Sequence, residues 1–587
     1  MSLLPFLTYS QNTAYLQGYV IDDFNNNCIA NLGEDSLKNY IITLKKGAFT
    51  QTVSTDENGY YTISVDTGIY DIMITGGSPY KGLCSSAQTV SVPIYASVNH
   101  NLPLQVTNYC PHLEINIGSK IHFNNDDNTF TIQYCNKGTI TANQVYVKVK
   151  MDPIFLDTFE YYHGASTPPI DSIGNIYIFS LPNLPPDTCG SFKVATWPMR
   201  NKSSRTACIQ AEIFAGNTCN LWTGASLAIQ ANCHNDSVSF RILNKGQQAM
   251  SNARSYTIIE NNSVLHTSSP ISVASGNYSP WFSYPSTGSS YRFEIEQDSG
   301  YPWGKKASAT IEGCLDSNSS NTIITGFVND FPLDNQAPNI AIDCQTIVDS
   351  IEQYYKQAFP VGYSNAHYIT PNDEILYRIN ISNTDFLYPR NITIKDTLSP
   401  FLDISTIKPL TASRPYKWKI LEGNIIEITF ENIYLTNIAN SRSSQLFVDF
   451  KIKQQANNPL GTIINNKAAI YFDRNAPIIT NTVFHTIDEN FMIFTALPTV
   501  EQGDALSIKA FPNPFDQATT LQVEGNQTYE VLHLQVYNSL GQLVGQATNQ
   551  NGTPQIHFQR KNLETGIYFY RLEGDGAFLH AGQLIVR

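Results

Sequence analysis

Charge is the first thing this sequence has little of. Charged residues make up 14% of the 587 positions, against roughly 25% in ordinary globular chains. The net charge of −13 argues against a nucleic-acid partner, because phosphate binding needs a Lys/Arg surface. No apolar run approaches the roughly 18 residues a membrane-spanning helix needs. Helical periodicity is almost missing; the best candidate, "IVDSIEQYYKQAF" (347–359), is short. No GxSxG, HExxH, P-loop or GxGxxG motif occurs, and the histidines stand apart from any Cys, Ser or carboxylate partner spacing. His367 and His485 are expected as sandwich residues, and catalysis is not expected.

What is present points to strands. Tyr is abundant at 33 and apolar residues reach 42%, enough for folded cores. Period-two alternation recurs in "YYTISVDTGIYDIMI", "NTFTIQYCNKG", "QVYVKVKM", "DSVSFRILNKG", "NIIEITFENI" and "LFVDFKIKQ", bounded by Gly, Asn, Asp and Pro. A chain of this length holds several domains of about 150 residues or fewer. The expected fold class is all-β, a linear string of Ig-like and prealbumin-like β-sandwich modules. The expected boundaries are a leader remnant at 1–10 and sandwiches at 11–106, 107–232, 233–343 and 344–490, with a terminal domain at 505–587. Within the first ten residues, "LLPFL" followed by Thr8 and Ser10 reads as the second half of a secretory signal peptide.

Ten cysteines are present, none after Cys344 and none in a CxxC pair. An even count in an exported chain favours disulfides. The expected pairs are Cys28–Cys84 and Cys233–Cys314, one inside each of two modules.

The stretch "DFNNNCIANLGE" has the register of a calcium loop: Asp23, Asn25, Asn27, Asn31 and Glu34 supply side-chain oxygens and Ile29 a carbonyl. Cys28 replaces the Gly that makes the sharp turn in such loops. The expectation is a structural Ca²⁺ of low affinity. Together with Gly18-Tyr19-Val20 and "TDENGYYTISVDTGIYDI" (55–72), this loop resembles the B-type modules of Gram-positive surface adhesins and related prealbumin-like domains. The resemblance covers 14–106 and implies a stiff spacer.

The end of the chain carries three motifs in order: Phe511-Pro512-Asn513-Pro514-Phe515, Tyr537-Asn538-Ser539-Leu540-Gly541-Gln542, and Gly566-Ile567-Tyr568 followed by Gly582 to Arg587. They resemble the C-terminal sorting domain of type IX secretion in Bacteroidota. Pro512 and Pro514 fix an extended entry, Asn538 to Gly541 makes a hairpin turn, and Gly582 frees the last turn. The resemblance implies handling by the type IX secretion machinery and anchoring at the outer membrane after the terminal domain is removed. Family tails often end in a Lys-bearing strand, and this one has only Arg587. Residues 344–487 resemble an uncharacterised β-sandwich that commonly precedes such tails, except that Ile351 to Tyr355 stands where an Asp-Pro-Asn-Asp turn is common. Asp-Ser/Thr-aliphatic triplets at Ser172, Ser237, Ser350 and Thr397 resemble O-glycosylation acceptors of exported proteins from the same bacteria.

Two functions follow from these features. One is a secreted, surface-anchored, non-catalytic adhesin or structural stalk. The other is a carbohydrate-binding accessory protein using Trp197, Trp222, Trp281 and Trp303 of the central modules, with a glycan or cell surface as partner.

Overall fold

The computed structural model describes residues 14–84, 88–120, 122–123, 128–152, 159–162, 171–196, 206–219, 222–234, 237–261, 263–286, 288–314, 326–333, 337–348, 353–383, 389–436, 444–489, 507–524, 528–538, 543–575 and 577–587. It is 58% strand with essentially no helix, the all-β class that the alternating runs indicate. Two compact units emerge. The first carries the sandwiches of residues 14–106, 113–348 and 354–487; the second carries the terminal sandwich together with Ala253–Ile271 and Phe293–Ile295.

In the N-terminal sandwich, strands Tyr60–Val65, Ala14–Asp22, Leu102–Val106 and Lys81–Leu83 form one sheet. Phe49–Ser54, Tyr40–Lys46, Gly68–Gly76 and Gln88–Val92 form the other. Their alternation puts Leu16, Val20, Ile42, Leu44, Tyr61, Tyr70 and Leu104 into a shared core.

The next sandwich departs from the expected boundaries. Strand Thr206–Phe214 pairs not only with Tyr146–Met151 but also with Ile340–Val348, which returns from well beyond residue 232. Residues 227–314, including the sheet of Leu227–His234, Ser237–Asn244 and Phe282–Pro285, are therefore inserted within one sandwich. The boundary expected at Cys344 falls inside a strand, because Cys208 lies opposite Cys344 in the ladder and is bonded to it.

The helix candidate at 347–359 is also corrected. Its two ends belong to separate strands, Ile340–Val348 and Tyr354–Phe359. In the second, Lys356 and Ala358 face inward while Tyr355 and Gln357 do not, a period of two that the apolar count alone obscured. That strand opens the 354–487 sandwich, whose three sheets enclose Ile375, Ile379, Ile394, Ile428, Phe450, Ile470 and Ile487.

The terminal sandwich packs Ser507–Phe511, Ala518–Glu524 and Gln555–Gln559 over Leu543–Asn549, Leu532–Tyr537, Gly566–Gly574 and Ala577–Val586. Leu521, Leu534, Val536, Phe558, Leu572 and Leu584 fill its core.

Candidate functional site

The most closely knit of the sequence-derived residues lie in the terminal sandwich. The last strand, Ala577–Val586, is paired along its length with Gly566–Gly574, and the Pro-Asn-Pro-Phe segment clasps it as well. Asn513 donates from Nδ2 to the carbonyl of Gln583 (2.8 Å) and accepts at Oδ1 from the Ile585 N–H (2.7 Å). Phe515 and the chain end then bridge backbone to backbone, Phe515 N–H to Ile585 O at 2.8 Å and Arg587 N–H to Phe515 O at 3.0 Å. Pro512 and Pro514 lack N–H groups, so the segment's donors to the strand are the Asn513 side chain and the Phe515 N–H. Gly582 is required by its neighbour: a Cβ there would lie 2.9 Å from the Tyr570 ring. The sequence reading missed Arg560, whose guanidinium caps the Asp516 and Arg587 carbonyls. Gly541 lies outside the described residues.

The loop Asp23–Glu34 is brought together, and most of its oxygens accept donors from within the loop. Asp23 is fully buried and accepts the N–H groups of Asn27 (3.1 Å) and Cys28 (2.8 Å). Asn25 Oδ1 accepts the Asn27 N–H, and Asn27 Oδ1 accepts both the Ile29 N–H and the Asn31 amide. Asn31 also donates to the Ile29 carbonyl, while the two Glu34 oxygens accept from Asn25 and the Asn31 N–H. A hard cation needs six to eight oxygen ligands, so an ion here would share Asp23, Asn25, Asn27 and Glu34 with the donors they now accept.

The disulfides bond Cys110–Cys219, Cys135–Cys189, Cys208–Cys344 and Cys233–Cys314. Cys28 and Cys84, expected as a pair, are instead free thiols. Their sulfurs and the Asp23 carboxylate lie within 4.8 Å of one another. The Cys84 S–H points to Asp23 at 3.6 Å, and Cys28 accepts from Gln105. Burial, then Cys28 and Asp23, push the Cys84 thiol up to about 12. Burial opposes ionisation of Asp23, but the N–H groups of Cys28 and Asn27, then Gln105 and Cys84, outweigh it and lower its pKa.

The remaining candidates are dispersed. Ser172 is exposed in the middle of the short strand Asp171–Ile173, Thr397 is exposed at the end of Ile392–Thr397, and Ser237 is half-buried with its hydroxyl on the His234 carbonyl. Ser350 and Trp197 lie outside the described residues. Trp222 and Trp303 are partly buried on either side of Tyr301. Trp281 is 44% exposed and Tyr278 47%. The Arg241 guanidinium lies over both rings, 4.0 Å from Tyr278 and 4.5 Å from Trp281.

A family model described as a secretion system C-terminal sorting domain matches residues 509–587. A second, a domain of unknown function (DUF7619), matches residues 356–486. None of the curated proteins matches the chain. Among solved structures, the collagen-binding domain from a Staphylococcus aureus adhesin is 18% identical, covering 24% of this chain and 99% of its own, with a TM-score of 0.17. The full-length major pilin SpaD from Corynebacterium diphtheriae is 10% identical over 50% of this chain and 90% of its own, TM-score 0.17. The C-terminal domain of the Streptococcus pyogenes antigen I/II-family protein AspA is 10% identical over 65% of this chain and all of its own, TM-score 0.18. At these scores the likenesses carry no argument about function.

Proposed function

Residues 509–587 are a secretion system C-terminal sorting domain, which sends the chain out of the cell and to attachment at its surface; from that premise we propose that the chain is a non-catalytic surface adhesin or stalk exported by type IX secretion. The observation that carries this reading is the Asn513 clasp on the final strand in the matched domain. It gives the secretion machinery a closed sandwich to recognise where a frayed tail would otherwise stand. Upstream, the disulfides Cys135–Cys189 and Cys208–Cys344 cross-brace neighbouring strands, which suits a part that must survive outside the cell.

The Arg241–Tyr278–Trp281 surface favours a second reading, glycan binding. Two exposed rings beside a guanidinium offer aromatic surface for a sugar ring to pack on and donors for its hydroxyls. The test is binding of the full chain to a panel of polysaccharides and cell surfaces. Cell adhesion without glycan preference supports the adhesin. Saturable binding to one polysaccharide that Trp281→Ala abolishes supports the accessory binder. Binding to neither leaves the stalk. Deletion of residues 509–587 is expected to hold the protein inside the cell; surface display without them would overturn the export premise.

A further inference from the structure

The 354–487 sandwich buries three polar side chains that neither reading uses. Lys356, on strand Tyr354–Phe359, is wholly buried, as is Asp396 on Ile392–Thr397, and Asn466 on Ile463–Asn466 is 2% exposed. The strands belong to three different sheets. Lys356 Nζ lies 2.8 Å from Asn466 Oδ1 and in direct contact with the Asp396 carboxyl. The Tyr377 and Phe450 rings wall the cluster, their centroids 4.5 and 5.4 Å from Nζ. The Asn466 amide also acts on Asp396, yet neither Asn466 Nδ2 nor Asp396 Oδ1 has a well-formed hydrogen bond.

An ion pair this deep repays little of its desolvation. Burial pushes the Lys356 pKa down, against the pull of Asp396, and pushes the Asp396 pKa up, against the pull of Lys356. Both directions favour a neutral amine beside a neutral carboxylic acid. A desolvated neutral amine is a nucleophile, and a buried acid in contact with it is a proton carrier.

We propose that Lys356 and Asn466 join in an intramolecular amide bond, with Asp396 as the catalytic acid and base. The Nζ lone pair attacks Asn466 Cγ, and the carbonyl electron pair moves onto Oδ1, where the Asp396 O–H stabilises it. Asp396 takes a proton from Nζ and delivers one to Nδ2. The Cγ–Nδ2 bond breaks, ammonia leaves, and the carbonyl re-forms. One amine and one primary amide become one secondary amide and one ammonia, and Asp396 ends as it began. No oxidant or cofactor is needed. The fold supplies proximity and a site walled from water. The bond would tie the first strand of the sandwich to one 110 residues on, independently of what the surface binds.

The test is peptide mapping of the reduced, digested full chain by tandem mass spectrometry. The expected result is a branched peptide joining Lys356 to Asn466, lighter than its two parts by one ammonia, in most of the protein. Asp396→Ala, Asn466→Ala and Lys356→Met should each lack it, and circular dichroism identifies the variants that remain folded. The wild-type map decides the matter even if every variant misfolds. Recovery of the two peptides separate and unmodified would overturn the proposal. A branch to Asp396 with loss of water would overturn the assignment of Asn466 as the acyl donor.

Discussion

Two buried polar clusters meet the 354–487 sandwich, and they solve the same problem in opposite ways. Arg378 is fully enclosed and bidentate to Asp449, Nε to Oδ1 at 2.8 Å and Nη2 to Oδ2 at 2.7 Å. Its Nη1 reaches both oxygens of Asp343, at 3.1 and 3.2 Å, and Asp343 accepts further from Ser119 and Gln345. Burial pushes Asp449 up to about 6, with Arg378 pulling it back, while the two carboxylates drive Arg378 itself further up. A planar fork that never loses its proton can be saturated, and this one is. Lys356 has one carboxyl and one amide, a pKa that burial lowers, and neighbours left partly unsatisfied. A saturated guanidinium locks a fold; an unsaturated lysine is poised to react.

That contrast can be broken by substitution. Arg378→Met leaves two carboxylates buried without a counter-charge, and denaturant titration should show a loss of about 3–5 kcal/mol. Arg378→Lys should recover little, since an ammonium cannot reproduce the fork. Asp396→Ala should cost about 2–4 kcal/mol, the usual worth of a cross-link over a long loop. It should also remove the branched peptide, and a variant that loses stability while keeping the branch would contradict Asp396 as catalyst. His485, buried with Nε2 on the Pro360 carbonyl, is pushed by burial down to about 4. Its folded value lies below the ordinary value of about 6.5. Its contribution is therefore complete above pH ~6.5 and lost as pH falls through 4. Thermal melts should show a decline of about 2–3 kcal/mol across that window, which His485→Asn flattens.

Smaller effects sharpen the comparison elsewhere. Asn513→Ala removes two hydrogen bonds to the last strand and should cost the terminal sandwich about 1–2 kcal/mol, with reduced surface display on fractionation. Most oxygens of the Asp23 loop already accept internal donors, so adding calcium or a chelator should leave the melting temperature of the full chain unchanged. A calcium-dependent rise would show that its amides turn to admit the ion.

Strand character and the terminal domain were legible because alternation and the three-part motif are local features. The inserted 227–314 segment was not, since nothing near Cys344 reveals that its strand pairs with one carrying Cys208. Lys356 was missed for a related reason. A lysine inside "IEQYYKQAF" reads as solvated, and only the pairing of Tyr354–Phe359 with Glu374–Ser382 turns it inward. The Asp23–Glu34 register shows which oxygens are near one another, but spacing alone does not show which donors those oxygens accept.

The measurement that tests a covalently braced surface stalk most directly is single-molecule extension of the reduced full chain under force. Unfolding the 354–487 sandwich should release only the chain outside the Lys356–Asn466 link, withholding the segment that spans a sequence separation of 110, about 3.3–3.6 Å of contour per residue. Release of the full contour length of that sandwich would contradict it.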